Sequence, residues 1–214
     1  AFQAIRQQQL THEKAIEAAF SVYFLEHGHH WHGYDPIVAG GKNACVMHYG
    51  ENAQPISTKE LVLIDIGAAV DGYSADITRV FPLGEPTKRQ RAVYDAVKAV
   101  QDYALSVQKP GASMRDNEKL IEACMGEQLV KLGLIKKPDR ESIRHYFPHA
   151  TSHFLGLDVH DLGDYDAPLQ PNMVLTVEPG IYIPEEGIGV RIEDDVLITV
   201  GGCEIMSHAL PRDL

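Results

Sequence analysis

Apolar residues in the first part of the chain recur at helical spacing. Ile5, Leu10, Ile16, Ala19, Phe20, Tyr23 and Phe24 predict one or two helices between Ala1 and His27. A loop with glycines and Pro36 is expected from Gly28 to Asn43. The pattern then changes. Leu61–Gly67 and Tyr73–Phe81 are rich in branched residues and predict two strands, joined through the hairpin-favouring pair Asp71-Gly72. Thr87–Val107 predicts an amphipathic helix, capped at Thr87 and ended by Pro110-Gly111. Ser113–Leu132 repeats that form, with Ser113 as N-cap and Gly133 as stop. The remainder predicts strands and turns, around Phe154–Val159, Met173–Val177, Gly180–Ile183 and Val190–Val200. Strands and helices do not alternate strictly, so the expected class is α+β with a largely antiparallel sheet.

The two hairpins place acids where an apolar pattern resists them. With Asp71-Gly72 as the turn, Asp65 faces Thr78 and Asp76 faces Gly67. Asp65 and Asp76 are then diagonal neighbours on one face, with Cβ atoms roughly 7–8 Å apart or a little less. Asp65 interrupts Leu61-Val62-Leu63-Ile64, where a lone charge is costly to bury. The bland alternative is a carboxylate paired with an arginine or bonded to backbone. Two like charges on one face call for a cation. In the second hairpin, a turn between Glu185 and Glu186 brings Glu178 opposite Glu193, with Pro179 interrupting the ladder. Glu178 ends an apolar run, which suits a buried role. Glu185, Glu186, Asp194 and Asp195 read instead as an exposed acidic face. Convergent carboxylates with a histidine favour Mn(II), Co(II), Fe(II) or Zn(II), two ions rather than one. Calcium is disfavoured, because no EF-hand loop is present.

The histidines divide by context. His153 and His160 lie in Ser152–Asp161, a strand-like stretch in which Asp158 or Asp161 could orient a ring. His48 and His149 can reach the same site from preceding segments. His27, His29, His30 and His32 surround Trp31 and read as a local histidine-rich loop.

Composition narrows the setting. The chain has 214 residues, enough for one sizeable domain, and a formal net charge of −11, which argues against a nucleic-acid partner and, more weakly, against an anionic membrane surface. Cys45, Cys124 and Cys203 are scattered without CxxC pairing, which fits reduced thiols in a cytoplasmic protein. The longest apolar runs are strand-length, and Ala1–Leu10 is polar and rich in glutamine, unlike a signal peptide.

Six segments occur in order: Asn43–Tyr49, Leu61–Gly67, Gly72–Arg79, Ser152–Asp161, Val177–Tyr182 and Val190–Asp195. Together they resemble the catalytic domain of the pita-bread metallopeptidases, in particular aminopeptidase P and the related prolidases. The resemblance implies a pita-bread fold with pseudo-twofold halves, a curved antiparallel sheet and outer helices. It covers nearly the whole chain as a single catalytic domain, without the separate N-terminal domain of full-length members. It implies two divalent ions, commonly manganese: Asp65 serves one, His153 and Glu178 the other, and Asp76 and Glu193 bridge both. The implied reaction is hydrolysis of the bond between an N-terminal residue and a following proline. The partner is therefore a peptide with proline at its second position, while oligomeric state is left open, a homo-oligomer included. Glu178 is the expected general base and proton shuttle, and His160 the donor to the carbonyl oxygen as it becomes anionic. His48 contacts the substrate near the scissile amide, and His149, Tyr182 and Arg191 support substrate or ligands. The alternatives are a strict Xaa-Pro dipeptidase and a pita-bread module that binds peptide without cleaving it. The second alternative is disfavoured, since all five ligand types are retained.

Overall fold

The computed structural model describes residues 10–29 and 31–214, with Trp31 described by its backbone alone. Helix α1 (Glu13–Glu26) begins where the His12 ring accepts the Lys14 N–H. It supplies one helix for the expected helical region, of which residues 1–9 lie outside the described part. Ile16 and Phe20 of α1 pack against Val38, Val62 and Ile64.

Strand β1 (Trp31–His32) is followed by β2 (Ile37–Gly40) and a 3-10 turn (Gly41–Cys45). Strand β2 falls where a loop was expected: all four of its residues are buried, so no polar alternation betrays it. The first hairpin comprises β3 (Leu61–Asp65), β4 (Ala68–Val70), β5 (Tyr73–Ser74) and β6 (Thr78–Pro82). Its turn has positive φ at both central residues, 53° at Asp71 and 88° at Gly72, as a tight twisted hairpin requires. The register is the expected one, Val70 opposite Tyr73 and Asp65 opposite Thr78. The arms serve two sheets, β2-β3-β6 and β1-β4-β5. Backbone bonds from Ile66 to Ile77 (3.0 Å) and from Ala75 to Ala68 (3.1 Å) carry the pairing between them. At this crossing Gly67 packs directly on the Ala75 carbonyl, leaving no room for a Cβ.

Helix α2 (Lys88–Val107) carries a capping box between Thr87 and Gln90, and α3 (Met114–Lys131) starts on Ser113. Gly133 follows α3 at φ +71°. Helix α4 (Arg140–Tyr146), capped by Asp139, was not foreseen, because seven residues are too few to show a helical period. Along α2, Val93, Val97, Val100 and Ala104 are fully buried in the main core.

The second hairpin is split by Pro179, as its position in the apolar run anticipates. Strand β7 (Val174–Val177) pairs with β10 (Asp194–Thr199), and β8 (Gly180–Ile183) with β9 (Ile188–Arg191). The expected single strand Val190–Val200 is therefore two. Val177 faces Asp194 and Gly180 faces Arg191, and the Ile192 N–H bonds the Pro179 carbonyl. The order β11-β10-β7 adds β11 (Gly202–Ile205) at one edge. The strand expected at Phe154–Val159 is replaced by one bridge, Phe154 to Leu175, and a loop. Asp161 closes that loop by accepting the N–H groups of Leu157 and Leu162.

Asp194 and Asp195 correct another expectation: they are 0% and 6% exposed rather than on an acidic surface. Glu185 and Glu186 do lie outside. Gln101 of α2 fastens the second hairpin through the carbonyls of Val177 and Ile192 and the Asp194 carboxylate. The two hairpins join where the Glu193 N–H bonds the Thr78 carbonyl at 3.1 Å.

Candidate metal centre

Nine of the ten residues singled out from the sequence line one cleft of about 570 Å³, and Tyr182 lies just behind it. The hairpins explain the convergence. Asp65 ends β3, Asp76 follows the crossing at Gly67, Glu178 follows β7, and Glu193 separates β9 from β10. The strand partners flanking Glu178 and Glu193 leave these two residues opposite each other. Single donor atoms of Asp76, His153 and Glu193 all lie within 4.8 Å of one another. Glu178 joins them through Oε1, 3.3 Å from His153 Nε2, while Asp76 Oδ2 lies 3.4 Å from the same nitrogen.

The His153 ring is aimed by its own surroundings. Its Nδ1 bonds the Phe154 carbonyl at 2.9 Å, which places the proton there and turns Nε2 toward the acids. The main chain is held at 3.1 Å by the Thr176 hydroxyl. His160 stands perpendicular to His153 with ring centroids 4.4 Å apart. His48 lines the cleft.

Asp65 stands apart from the trio. It accepts from the Tyr34 hydroxyl at 2.5 Å and from Arg191 Nη2 at 2.6 Å, so the arginine pairing weighed from sequence is present. Arg191 also donates to the Thr78 hydroxyl and to Tyr182 Oη, and Thr78 in turn donates to Glu193 at 2.5 Å. Tyr182 Oη is 2.8 Å from His149 Nε2. Tyr34 and Thr176 are participants the sequence reading passed over, Thr78 was noted only for its place in the hairpin, and Asp195 was read as exposed. The role of Thr78 was within reach of that reading, as the residue facing Asp65. Tyr34 and Asp195 were not, since only folding brings them in. Asp195 accepts the Asp76 N–H at 3.2 Å.

Burial dominates the electrostatics. It raises Glu178 to about 8 and holds Glu193 well above the usual carboxylate range, with Asp76 and Glu178 adding repulsion. Asp65 is also raised by burial, although Arg191 opposes the shift. For His153 burial opposes the cation, but Asp76 and Glu178 outweigh it and raise the pKa. Burial and then Arg191 lower His149 to about 3. Burial lowers His160 too, with His153 adding to the effect. Four carboxylates around one imidazole, with Arg191 as the buried guanidinium among them, form an oxygen-rich donor set suited to divalent cations.

The histidine-rich loop stays separate from this site. His27 stacks on Tyr23 at 4.0 Å, and His32 Nε2 bonds the Ser21 hydroxyl at 3.0 Å. His30 lies outside the described residues.

Paired hairpins, outer helices and a buried acid–imidazole cluster are the architecture of the pita-bread fold, and known proteins bear this out. Residues 1–200 match metallopeptidase family M24. The chain is 42% identical over 218 residues to the Xaa-Pro aminopeptidase of Escherichia coli, covering 94% of this chain and 49% of that protein. Proline aminopeptidase P II from Yersinia pestis superposes with a TM-score of 0.89 at 41% identity, covering 94% of this chain and 51% of that one. A zinc-substituted E. coli aminopeptidase P in complex with product gives a TM-score of 0.90 at 37% identity, covering 97% and 52%. The chain belongs to metallopeptidase family M24. It spans about half the length of these relatives.

Proposed function

We propose that this chain is the catalytic domain of a metal-dependent exopeptidase that hydrolyses the bond between an N-terminal residue and a following proline. The observation that carries this reading is the meeting of Asp76, His153, Glu178 and Glu193, with Asp65 beside them, in one cleft. Relatives bearing the name Xaa-Pro aminopeptidase support the choice of substrate. Asp65, Asp76, His153, Glu178 and Glu193 would hold two divalent ions, manganese foremost. Bound there, the ions would supply Lewis acidity and lower the pKa of water enough to make a nucleophile at neutral pH.

The remaining work falls to the side chains. Glu178 is the general base: its carboxylate lines the cleft, with Oε1 3.3 Å from His153 Nε2, where it can take a proton from water and pass it on. His160, on the cleft wall beside His153, donates to the carbonyl oxygen as it gains charge. His48 contacts the substrate near the scissile amide. Arg191 holds Asp65 directly and Glu193 through Thr78, so it fixes carboxylates on both hairpins. Tyr182 links that arginine to His149. A cytoplasmic setting belongs to the same proposal, supported by three free cysteines. No described helix is long and apolar enough to cross a membrane.

The test is a substrate panel on manganese-loaded protein: Xaa-Pro dipeptides, Xaa-Pro-Yaa tripeptides, longer Xaa-Pro peptides and Met-Ala peptides. Release of the N-terminal residue from tripeptides and longer Xaa-Pro peptides is the expected result. Cleavage of dipeptides alone would move the assignment to a prolidase. Turnover of Met-Ala peptides alone, or none at all, would overturn it.

A further inference from the structure

Residues 147–153 connect the short helix α4 to the cleft without regular structure, yet they carry both His149 and His153. The later part of this segment runs beside β7, where the Thr176 N–H bonds the His153 carbonyl at 3.0 Å. Its earlier part is held by side chains of two outer helices. Arg144 of α4 donates through Nη1 to the His149 carbonyl at 2.6 Å. Glu118 of α3 accepts the Thr151 N–H through Oε2 at 3.0 Å. The two side chains are themselves paired, Arg144 Nη2 to Glu118 Oε1 at 2.8 Å, and Arg144 is further braced by Glu122 at 2.5 Å. From the other side, the Glu178 N–H bonds the Thr151 carbonyl at 2.8 Å. One residue, Thr151, therefore separates the Glu118 carboxylate from the backbone of Glu178.

We propose that Arg144 and Glu118 are positioning residues, a two-point ionic clamp that sets His149 and the backbone of Glu178 in the cleft from outside it. A charged fork bonded at once to a carbonyl and two carboxylates fixes direction as well as distance. The neighbouring amide is tied by the Glu118 carboxylate, so the loop has little freedom to shift along its axis. Moving it would carry the His149 ring, which now meets Tyr182 Oη at 2.8 Å and has Nδ1 3.9 Å from Glu178 Oε2. It would also pull on the backbone bond to Glu178. Among the described residues, neither clamp side chain bonds a member of the acid cluster, and neither lines the cleft. Arg140 offers an internal contrast: it reaches Glu122 at 3.6 Å from an 81% exposed position and bonds no part of the loop.

The catalytic arm of the test rests on the function proposed above; the spectroscopic arm does not. Arg144→Met, Arg144→Lys, Glu118→Gln and Arg140→Gln are compared as folded, manganese-loaded proteins with metal content measured. Arg144→Met is expected to lose about 10²-fold in kcat, the scale of an ångström misplacement, with metal stoichiometry unchanged. Arg144→Lys cannot serve carbonyl and carboxylates together and should recover only part of that loss. Glu118→Gln keeps an acceptor for the Thr151 N–H but loosens Arg144, so about a 10-fold loss is expected. Arg140→Gln should match the parent. Independently of turnover, imidazole nitrogen NMR of the metal-free proteins reads His149. The parent should show one tautomer with a protected Nδ1 proton bonded to the Ala150 carbonyl, 2.9 Å away. In Arg144→Met and Glu118→Gln that proton should exchange faster. Parent-like kcat and a parent-like His149 signal in either folded variant would overturn the proposal. If Arg144→Met fails to fold, Glu118→Gln decides. If the parent cleaves no Xaa-Pro peptide, the function fails and the His149 signal alone decides the clamp.

Discussion

Arg79 and Asp194 form an ion pair at 2.6 Å with side chains only 2% and 0% exposed. The guanidinium also donates to the carbonyls of Thr78, Glu193 and Pro211, so it ties both hairpins to the C-terminal tail. Asp194 takes further bonds from Gln101 and Ser207. Removing the acid would strand a buried cation beside the backbone of Glu193. Asp194→Ala is therefore expected to cost about 3–5 kcal/mol, measured by denaturant unfolding of the metal-free protein. A loss below 1 kcal/mol would show that the pair is not structural.

Gly67 sits where the first hairpin passes between sheets, packed on the Ala75 carbonyl. A methyl group there must push the arms apart, and those arms carry Asp65 and Asp76. Gly67→Ala should weaken divalent-metal binding at least 10-fold, read by calorimetric titration. Parent-like affinity in a folded variant would show that the close approach has no bearing on the ligands.

Glu178→Ala should lower kcat by about 10²–10⁴-fold, the range for loss of a general base, while circular dichroism stays unchanged. The carboxylate is solvent-accessible enough, at 17% side-chain exposure, for a cavity in its place to be tolerated. An active variant would remove Glu178 from its assigned role.

Metal removal and pH are linked through the same acids. In the metal-free protein Glu178 and Asp195 are each raised to about 8 by burial, against ordinary values of 4.5 and 3.8. Folded protein thus holds protons that unfolded chain has released, and stability must fall as pH rises toward 8. His149 works oppositely, lowered from 6.5 to about 3, but its contribution is lost only as pH falls below 6.5. Between pH 6.5 and 8 the acids act without that opposition. The melting temperature of the metal-free protein should decline across this window. Divalent metal should reverse the slope, because its binding displaces those protons. A flat or rising profile without metal would contradict the buried, proton-holding cluster.

Stripping divalent metal should abolish hydrolysis of an Xaa-Pro-Yaa tripeptide, and Mn(II) should restore it. Turnover that persists in the stripped protein would defeat the metal-dependent mechanism.

Local pattern was enough to place the acids. The Asp71-Gly72 turn has one favoured geometry, and strand alternation then dictates that Asp65 faces Thr78. The same logic put Glu178 opposite Glu193, with Pro179 supplying the interruption. Helices α2 and α3 were legible because each is several turns long with a capping side chain. Shorter or fully buried elements were not: α4 has too few residues for a period, and β2 has no polar face to alternate with.

What the sequence by itself determined was the content of each hairpin, because register and turn depend on neighbours in the chain. Only the tertiary structure decided how the hairpins meet. Glu193 and Thr78 are joined by a backbone bond across 115 positions of sequence separation, as the Thr78–Glu193 side-chain bond between the same residues also is. That junction buries Asp194 and Asp195, which chemistry alone would leave in water, because Arg79 and the Asp76 N–H wait there to receive them. Burial of a charge depends on a partner supplied by distant chain, and no local pattern carries that information.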